Sequence, residues 1–155
     1  KGIKLEICNN AREACLRPVM EAARRWKLVV LQHAWSQTNL RQRRYHSDPA
    51  DVATLARRHP GVPSIMPHLT GIGVRGVLEA KPLRNVFVAT SGGLPEEGLL
   101  EYAVEQLGAE RVLYGSDLPG RAPSVAIARI RGARLTAAEQ QQILCGNAAR
   151  LLGLE

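Results

Sequence analysis

Three short apolar runs, each ending on a residue able to hold a metal or move a proton, constrain this chain most. They read Leu28-Val29-Val30-Leu31-Gln32-His33, Ser64-Ile65-Met66-Pro67-His68 and Arg111-Val112-Leu113-Tyr114-Gly115-Ser116-Asp117, and each precedes a loop and a helix-like stretch. Continuous apolar runs of this length suit parallel strands covered on both faces. A buried strand that delivers His or Asp at its C-terminal end is how a β/α barrel assembles an active site. One such ending would mean little. Three in the same position point to catalytic machinery.

The rest of the chain repeats the alternation. Ile3–Ile7 reads as a first strand. Pro18 then opens a helical pattern with Val19, Ala22, Ala23 and Trp26 on one face. After Leu28–Gln32, the stretch Asp48-Pro49-Ala50-Asp51 starts a helix, with Asp48 as N-cap and Asp51 at the positive end of the dipole. Val52, Leu55 and Ala56 form its apolar face, and His59-Pro60-Gly61 ends it. Val62–Met66 gives a third strand, Val74–Leu83 a weaker helix and Val86–Ala89 a fourth strand. Pro95-Glu96-Glu97 opens a helix carrying Leu99, Ala103 and Leu107, which Gly108 closes before the fifth strand, Arg111–Gly115. In the tail, Thr136-Ala137-Ala138-Glu139 is a capping box, and Asn147 is placed to cap a last short helix with Leu151 and Leu152.

Five strands alternating with helices define a parallel α/β architecture. An open doubly wound sheet would carry a glycine-rich first turn for a nucleotide. Here that turn is Cys8-Asn9-Asn10-Ala11, without glycine. The expected fold is therefore a partial (β/α)8 barrel, forming a single domain over residues 1–155. The chain starts on Lys1 and enters its first strand at once, which reads as a piece cut from something longer.

Composition narrows the class. A 155-residue chain with 45% hydrophobic and 23% charged residues is ordinary for a globular domain. No uncharged run approaches the ~18–20 residues of a membrane helix, and no signal-peptide pattern opens the chain. Cys8, Cys15 and Cys145 are scattered, which argues against a disulfide framework, for buried structural thiols and for a cytoplasmic location. The net charge of +7 is spread along the sequence with no nucleic-acid-binding signature beside it, so no specific nucleic-acid partner is expected.

Several pieces occur in a telling order: Gly2-Ile3-Lys4-Leu5, Leu31-Gln32-His33, His68-Leu69-Thr70-Gly71, Thr90-Ser91-Gly92, Gly115-Ser116-Asp117-Leu118-Pro119 and Gly146-Asn147-Ala148-Ala149-Arg150-Leu151. The ordered set resembles the amidohydrolase-related ("amidohydrolase 2") metal-dependent hydrolases, a group that also contains aromatic-acid decarboxylases. That resemblance implies a (β/α)8 barrel of which this chain is strands four to eight with their helices, the N-terminal strands missing, and a divalent metal, most commonly zinc, at the C-terminal mouth of the strands. By position it implies His33 as a metal ligand, His68 as the residue contacting substrate or a developing oxyanion, and Asp117 as both metal ligand and acid/base. The family's first-strand His-x-His pair has no counterpart here, Thr70 stands for a usual glycine, and Glu6 stands where a histidine is common.

These residue types suit the chemistry. Zinc accepts imidazole nitrogen and carboxylate oxygen in about four positions, one kept for water in catalytic sites. Its binding lowers the water pKa from ~15.7 to roughly 7. Taken singly, His33 reads as a satisfied structural histidine and Asp117 as a turn cap. The joint pattern favours function. His46 and His59 lack that context and are assigned to the surface. The loop from Ala34 to Ser47, with Arg41, Arg43, Arg44 and Tyr45, either covers the mouth and holds an acidic substrate or is a solvated basic loop. Arg121 carries the same two readings.

The sequence therefore predicts an enzyme that attacks a C–N or C–O bond of a small-molecule substrate with activated water, or decarboxylates a small carboxylic acid. The rival is a non-catalytic half-barrel acting as a structural or interaction fragment. Substrate, metal identity and oligomeric state stay open.

Overall fold

The computed structural model describes residues 1–6, 9–36, 41, 44–93 and 96–154. Its frame is one sheet of five strands: β1 (Gly2–Leu5), β2 (Val29–Gln32), β3 (Ser64–Met66), β4 (Val86–Ala89) and β5 (Val112–Leu113). The strands lie side by side in chain order, and every neighbouring pair is parallel. A doubly wound sheet reverses direction at a switch point. This one never reverses. Each crossover steps the same way, so the helices between consecutive strands gather on one face, and the sheet is a segment of a barrel wall.

The two faces are chemically distinct. Val30, Met66, Val86, Val88 and Val112 point outward into the main core, where α1 (Arg17–Arg25), α2 (Pro49–Arg58), α3 (Leu69–Ala80) and α4 (Leu99–Leu107) pack. Phe87, Ala89 and Leu113 point inward with Ile65, against Ala148 and Leu151 of the last helix, α7 (Asn147–Leu152). A strand's side-chain period of two fixes this division.

The helix starts follow their local chemistry. Asp48 accepts from the Ala50 N–H at 3.0 Å, and Asp51 accepts from the Asp48 N–H at 2.9 Å, completing the capping box ahead of Pro49. The same two carboxylates tie neighbours to α2. Arg75 grips Asp48 with two bonds of 2.6 Å, while Arg12 and Asn10 meet Asp51. Thr136 and Glu139 form the second capping box, ahead of α6 (Ala137–Gln141).

Some sequence expectations need correcting. Trp26 is 65% exposed under the Arg25 guanidinium, and Leu16, Met20 and Ala23 supply the buried stripe of α1 instead. α3 starts at Leu69 rather than Val74 and bends at Gly73 (φ 60°, ψ −167°). The glycines of Thr70-Gly71-Ile72-Gly73 read as loop by propensity, but Leu69 and Ile72 are buried and secure the first turn. α5 (Pro123–Gly132) has no counterpart in the sequence pattern, since only Ala126 and Ile130 bury apolar side chains there.

Asn147 does not cap a separate helix. α6, a π-helical turn (Gln142–Gly146) and α7 run on continuously. Asn147 is buried and donates to the carbonyls of Ala109 and Val112, both at 2.7 Å. Cys15 and Cys145 are exposed free thiols rather than buried ones. Cys8, Ile7 and Pro95 lie outside the described residues. Among the described residues no helix is long and apolar enough to cross a membrane.

Arg111 shows how the outer layer is joined. It is buried, and its guanidinium donates to Leu107 at the end of α4 and to Ala80, Lys81 and Leu83 after α3, at 2.8–3.2 Å. The negative ends of two helix dipoles take the place of a carboxylate. Arg111→Leu strands four carbonyls, and a urea melt of the chain is expected to show a loss of roughly 3 kcal/mol. An unchanged midpoint would remove this role.

Candidate active site

The C-terminal ends of the strands share one rim, and the residues singled out by sequence stand on it. His33 follows β2 directly, and its backbone N–H continues the ladder to the Leu5 carbonyl at 3.1 Å. His68 lies between β3 and α3, where its carbonyl accepts from Gly71 (2.6 Å) and Ile72 (2.8 Å) to open the helix. Asp117 follows β5 by a short turn. His68 (φ 63°) and Asp117 (φ 67°) both hold left-handed backbone, which costs a non-glycine residue on the order of 1 kcal/mol or more. Lys27 is the one other such residue among the described ones.

The rings converge. The centroids of His33 and His68 are 4.9 Å apart, and Trp35 stands 5.9 Å from His68. Ser91, at the end of β4, accepts from the His68 N–H at 2.9 Å, and its hydroxyl lies 3.2 Å from His68 Nδ1. That contact orients the ring. Burial pushes the His33 pKa down to about 4, helped by the nearby His68. Burial also lowers the pKa of His68, with Asp117 pulling the other way. Both imidazoles are thus held neutral near pH 7, the form that binds a metal or accepts a proton. His33 Nδ1 is buried without a hydrogen-bond partner among the described residues.

His68, Ser91 and Asp117 line one cavity of about 400 Å³, floored by Leu31, Ile65 and Leu113 from the inner face of the sheet. His33 stands behind His68 and is not part of the cavity wall. Asp117 Oδ2 lies 3.5 Å from Arg121 Nε. Lys4 reaches the cavity from β1 and pairs with Glu6 at 2.8 Å, the Lys4 hydrogen bond holding the Glu6 carboxyl below its usual range. Among the described residues no group of three His, Cys, Asp or Glu is arranged to hold a metal ion. The rim therefore gathers the expected side chains without forming a complete metal cage from them.

Sequence reasoning missed two neighbours. His46 is half-buried rather than on the surface, with its ring 6.3 Å from that of His33. Its loop position gives no periodic signal. Ser91 was visible in Thr90-Ser91-Gly92 at a strand end, but only the fold brings it to His68. His59 sits half-buried at the end of α2, away from the rim. Arg44 and Tyr45 are exposed and stack on each other, Arg41 is exposed, and Arg43 lies outside the described residues.

The amidohydrolase family model (Amidohydro_2) matches residues 6–154. The chain belongs to that amidohydrolase family. Among solved structures, an uncharacterised TIM-barrel protein from Bordetella bronchiseptica superposes with a TM-score of 0.80 at 17% identity, over 97% of this chain and 57% of its own. A 2-pyrone-4,6-dicarboxylic acid hydrolase from Pseudomonas putida gives 0.73 at 24% identity, over 99% and 63%. A dihydroxybenzoic acid decarboxylase from Polaromonas sp. JS666, with bound manganese and an inhibitor, gives 0.68 at 16% identity, over 94% and 55%. A search of curated proteins finds no match. This amidohydrolase-family chain thus has the barrel fold of these proteins and spans 55% to 63% of their lengths.

Gly71 sets the rim's packing, because a Cβ there would enter the Trp35 ring that lies against His68. Gly71→Ala is expected to shift the Trp35 fluorescence in a Trp26→Phe background and to cost about 1–3 kcal/mol by overpacking. Identical spectra and stability would show that the contact is not tight.

Proposed function

We propose that the protein containing this chain is a metal-dependent enzyme of the amidohydrolase type. It hydrolyses a C–N or C–O bond of a small molecule or decarboxylates a small carboxylic acid. The observation that supports the reading is the presence of His68 and Asp117 in the wall of one concave mouth at the strand C-termini, with the His33 ring centroid 4.9 Å from that of His68.

The donor set fits a divalent cation in kind, zinc being the first choice by ligand type. His33 offers a neutral, half-buried imidazole whose buried Nδ1 has no hydrogen-bond partner among the described residues, and Asp117 offers a carboxylate on the same rim. In number the set is incomplete. The remaining ligands would come from the part of the barrel wall that this chain does not span. When bound, such a cation supplies positive charge that polarises a substrate oxygen or acidifies a water.

The chain's own residues then divide the work. His33 and Asp117 would hold the ion. Asp117 takes a proton from water in hydrolysis, or delivers one to carbon when carbon dioxide departs. His68, oriented by Ser91, donates toward the oxygen on which negative charge develops. The apolar floor of Leu31, Ile65 and Leu113 excludes water from a flat organic acid. A chemistry built on strand-end residues tolerates substrate change by loop variation.

The test uses the full-length protein, stripped of metal and reloaded with zinc or manganese. It is assayed for carbon dioxide release from aromatic acids and for hydrolysis of amides, esters and lactones. Turnover with one class is expected to need metal, and Asp117→Asn to lower it by about 10²-fold or more. Turnover that survives chelation or the Asp117→Asn substitution would contradict the assignment. The isolated 155-residue chain is expected to hold zinc weakly and to show no turnover. Stoichiometric, tightly held zinc would mean that its own residues complete the site.

A further inference from the structure

The dipeptide that follows β4 faces two ways. Phe87 and Ala89 point inward, so the strand period of two sends Thr90 outward and Ser91 inward. Ser91 lines the mouth and contacts His68 on the β3 side. Thr90 is fully buried, and its hydroxyl meets the chain that leaves β5.

The pairing of β4 with β5 changes character at this point. The Thr90 N–H donates to the Leu113 carbonyl at 2.9 Å, while Tyr114 turns its own N–H to the Ile143 carbonyl at 2.9 Å. The next rung of a parallel ladder would run from the Gly115 N–H to the Thr90 carbonyl. That carbonyl accepts from Arg129 on α5 instead, at 2.9 Å, and a second nitrogen of the same guanidinium reaches the Gly92 carbonyl at 3.3 Å. The Thr90 hydroxyl takes over the rung. It accepts from the Gly115 N–H at 3.1 Å and donates to the Gly115 carbonyl at 3.4 Å. Gly115 passes close against β4, since a Cβ there would lie 3.2 Å from Ser91 Cβ. Two residues on, Asp117 holds its left-handed backbone, and Ser116 Oγ accepts from the Leu118 N–H at 3.2 Å to close the turn.

A buried threonine hydroxyl is satisfied by a single carbonyl. Here it engages both backbone groups of one residue, two positions before the carboxylate at the mouth. We propose that Thr90 is a positioning residue for Asp117, setting where that carboxylate enters the mouth, while the adjacent Ser91 does the same for His68. One dipeptide, pinned by Arg129, thereby fixes the two groups against each other. This deepens the catalytic reading of the mouth and rests on it.

Thr90→Val keeps the shape of the side chain and removes the hydroxyl, whereas Thr90→Ser keeps the hydroxyl. In the full-length protein, Thr90→Val is expected to speed amide hydrogen exchange across Gly115–Asp117 by about tenfold or more. Its kcat is expected to fall by about ten- to a hundredfold, with KM within about threefold of the wild type. Thr90→Ser restores both, and Ser91→Ala leaves that exchange unchanged. Unaltered exchange in Thr90→Val, faster exchange with wild-type kcat, or equal damage from Thr90→Ser or Ser91→Ala overturns the proposal. If Thr90→Val does not fold, Thr90→Ala replaces it, and failure of both to fold assigns Thr90 to the scaffold alone and also overturns it. Zinc titration separates this proposal from the catalytic reading. A wild type without turnover sinks the catalytic reading, and zinc affinity then decides the positioning: a loss of about tenfold in Thr90→Val upholds it, and unchanged affinity overturns it.

Discussion

Parallel pairing in strict chain order is the constraint from which everything else follows. Each strand pairs with the next, from β1 to β5, and every pair runs the same way. All five C-terminal ends must then lie on one edge of the sheet. A residue placed one to four positions past a strand end cannot avoid that rim. His33, His68 and Asp117 are far apart in sequence and stand on one rim because of this geometry. A single antiparallel strand would have sent its terminal residue to the opposite edge.

Rim and scaffold are stabilised by different means. The outer layer is locked by charge-assisted hydrogen bonds with few partners to spare. Asp48 and Asp51 join α2 to Arg75 and Arg12, and Arg111 joins the ends of α3 and α4 through backbone carbonyls. The rim instead carries left-handed backbone at His68 and Asp117 and a buried imidazole nitrogen of His33 without a hydrogen-bond partner among the described residues. Local strain and unmet polarity concentrate at the rim, and a well-bonded scaffold keeps them in place.

The sequence made the rim legible because strand ends are marked by abrupt change. An apolar run that stops on His or Asp gives both the element and the residue that stands on the rim. The capping boxes at Asp48 and Thr136 were legible for a similar reason, since their chemistry is local. What stayed hidden depends on distant partners. Asn147 resembles a cap, but its amide bonds to Ala109 and Val112, which only the fold brings near. Trp26 resembles a core residue because it continues the apolar stripe of α1, yet the stripe shifts to Leu16 and Met20. His46 and Ser91 gained their places from loop closure around His33 and His68, for which periodicity offers no signal.

The most direct test is anomalous diffraction from crystals of the full-length protein loaded with zinc or manganese. The account predicts one metal peak at the strand C-terminal rim, with a His33 nitrogen and an Asp117 oxygen at about 2.0–2.2 Å and His68 facing the same opening. A peak bound by other residues, or His33 and Asp117 each turned away from a shared centre, would contradict it.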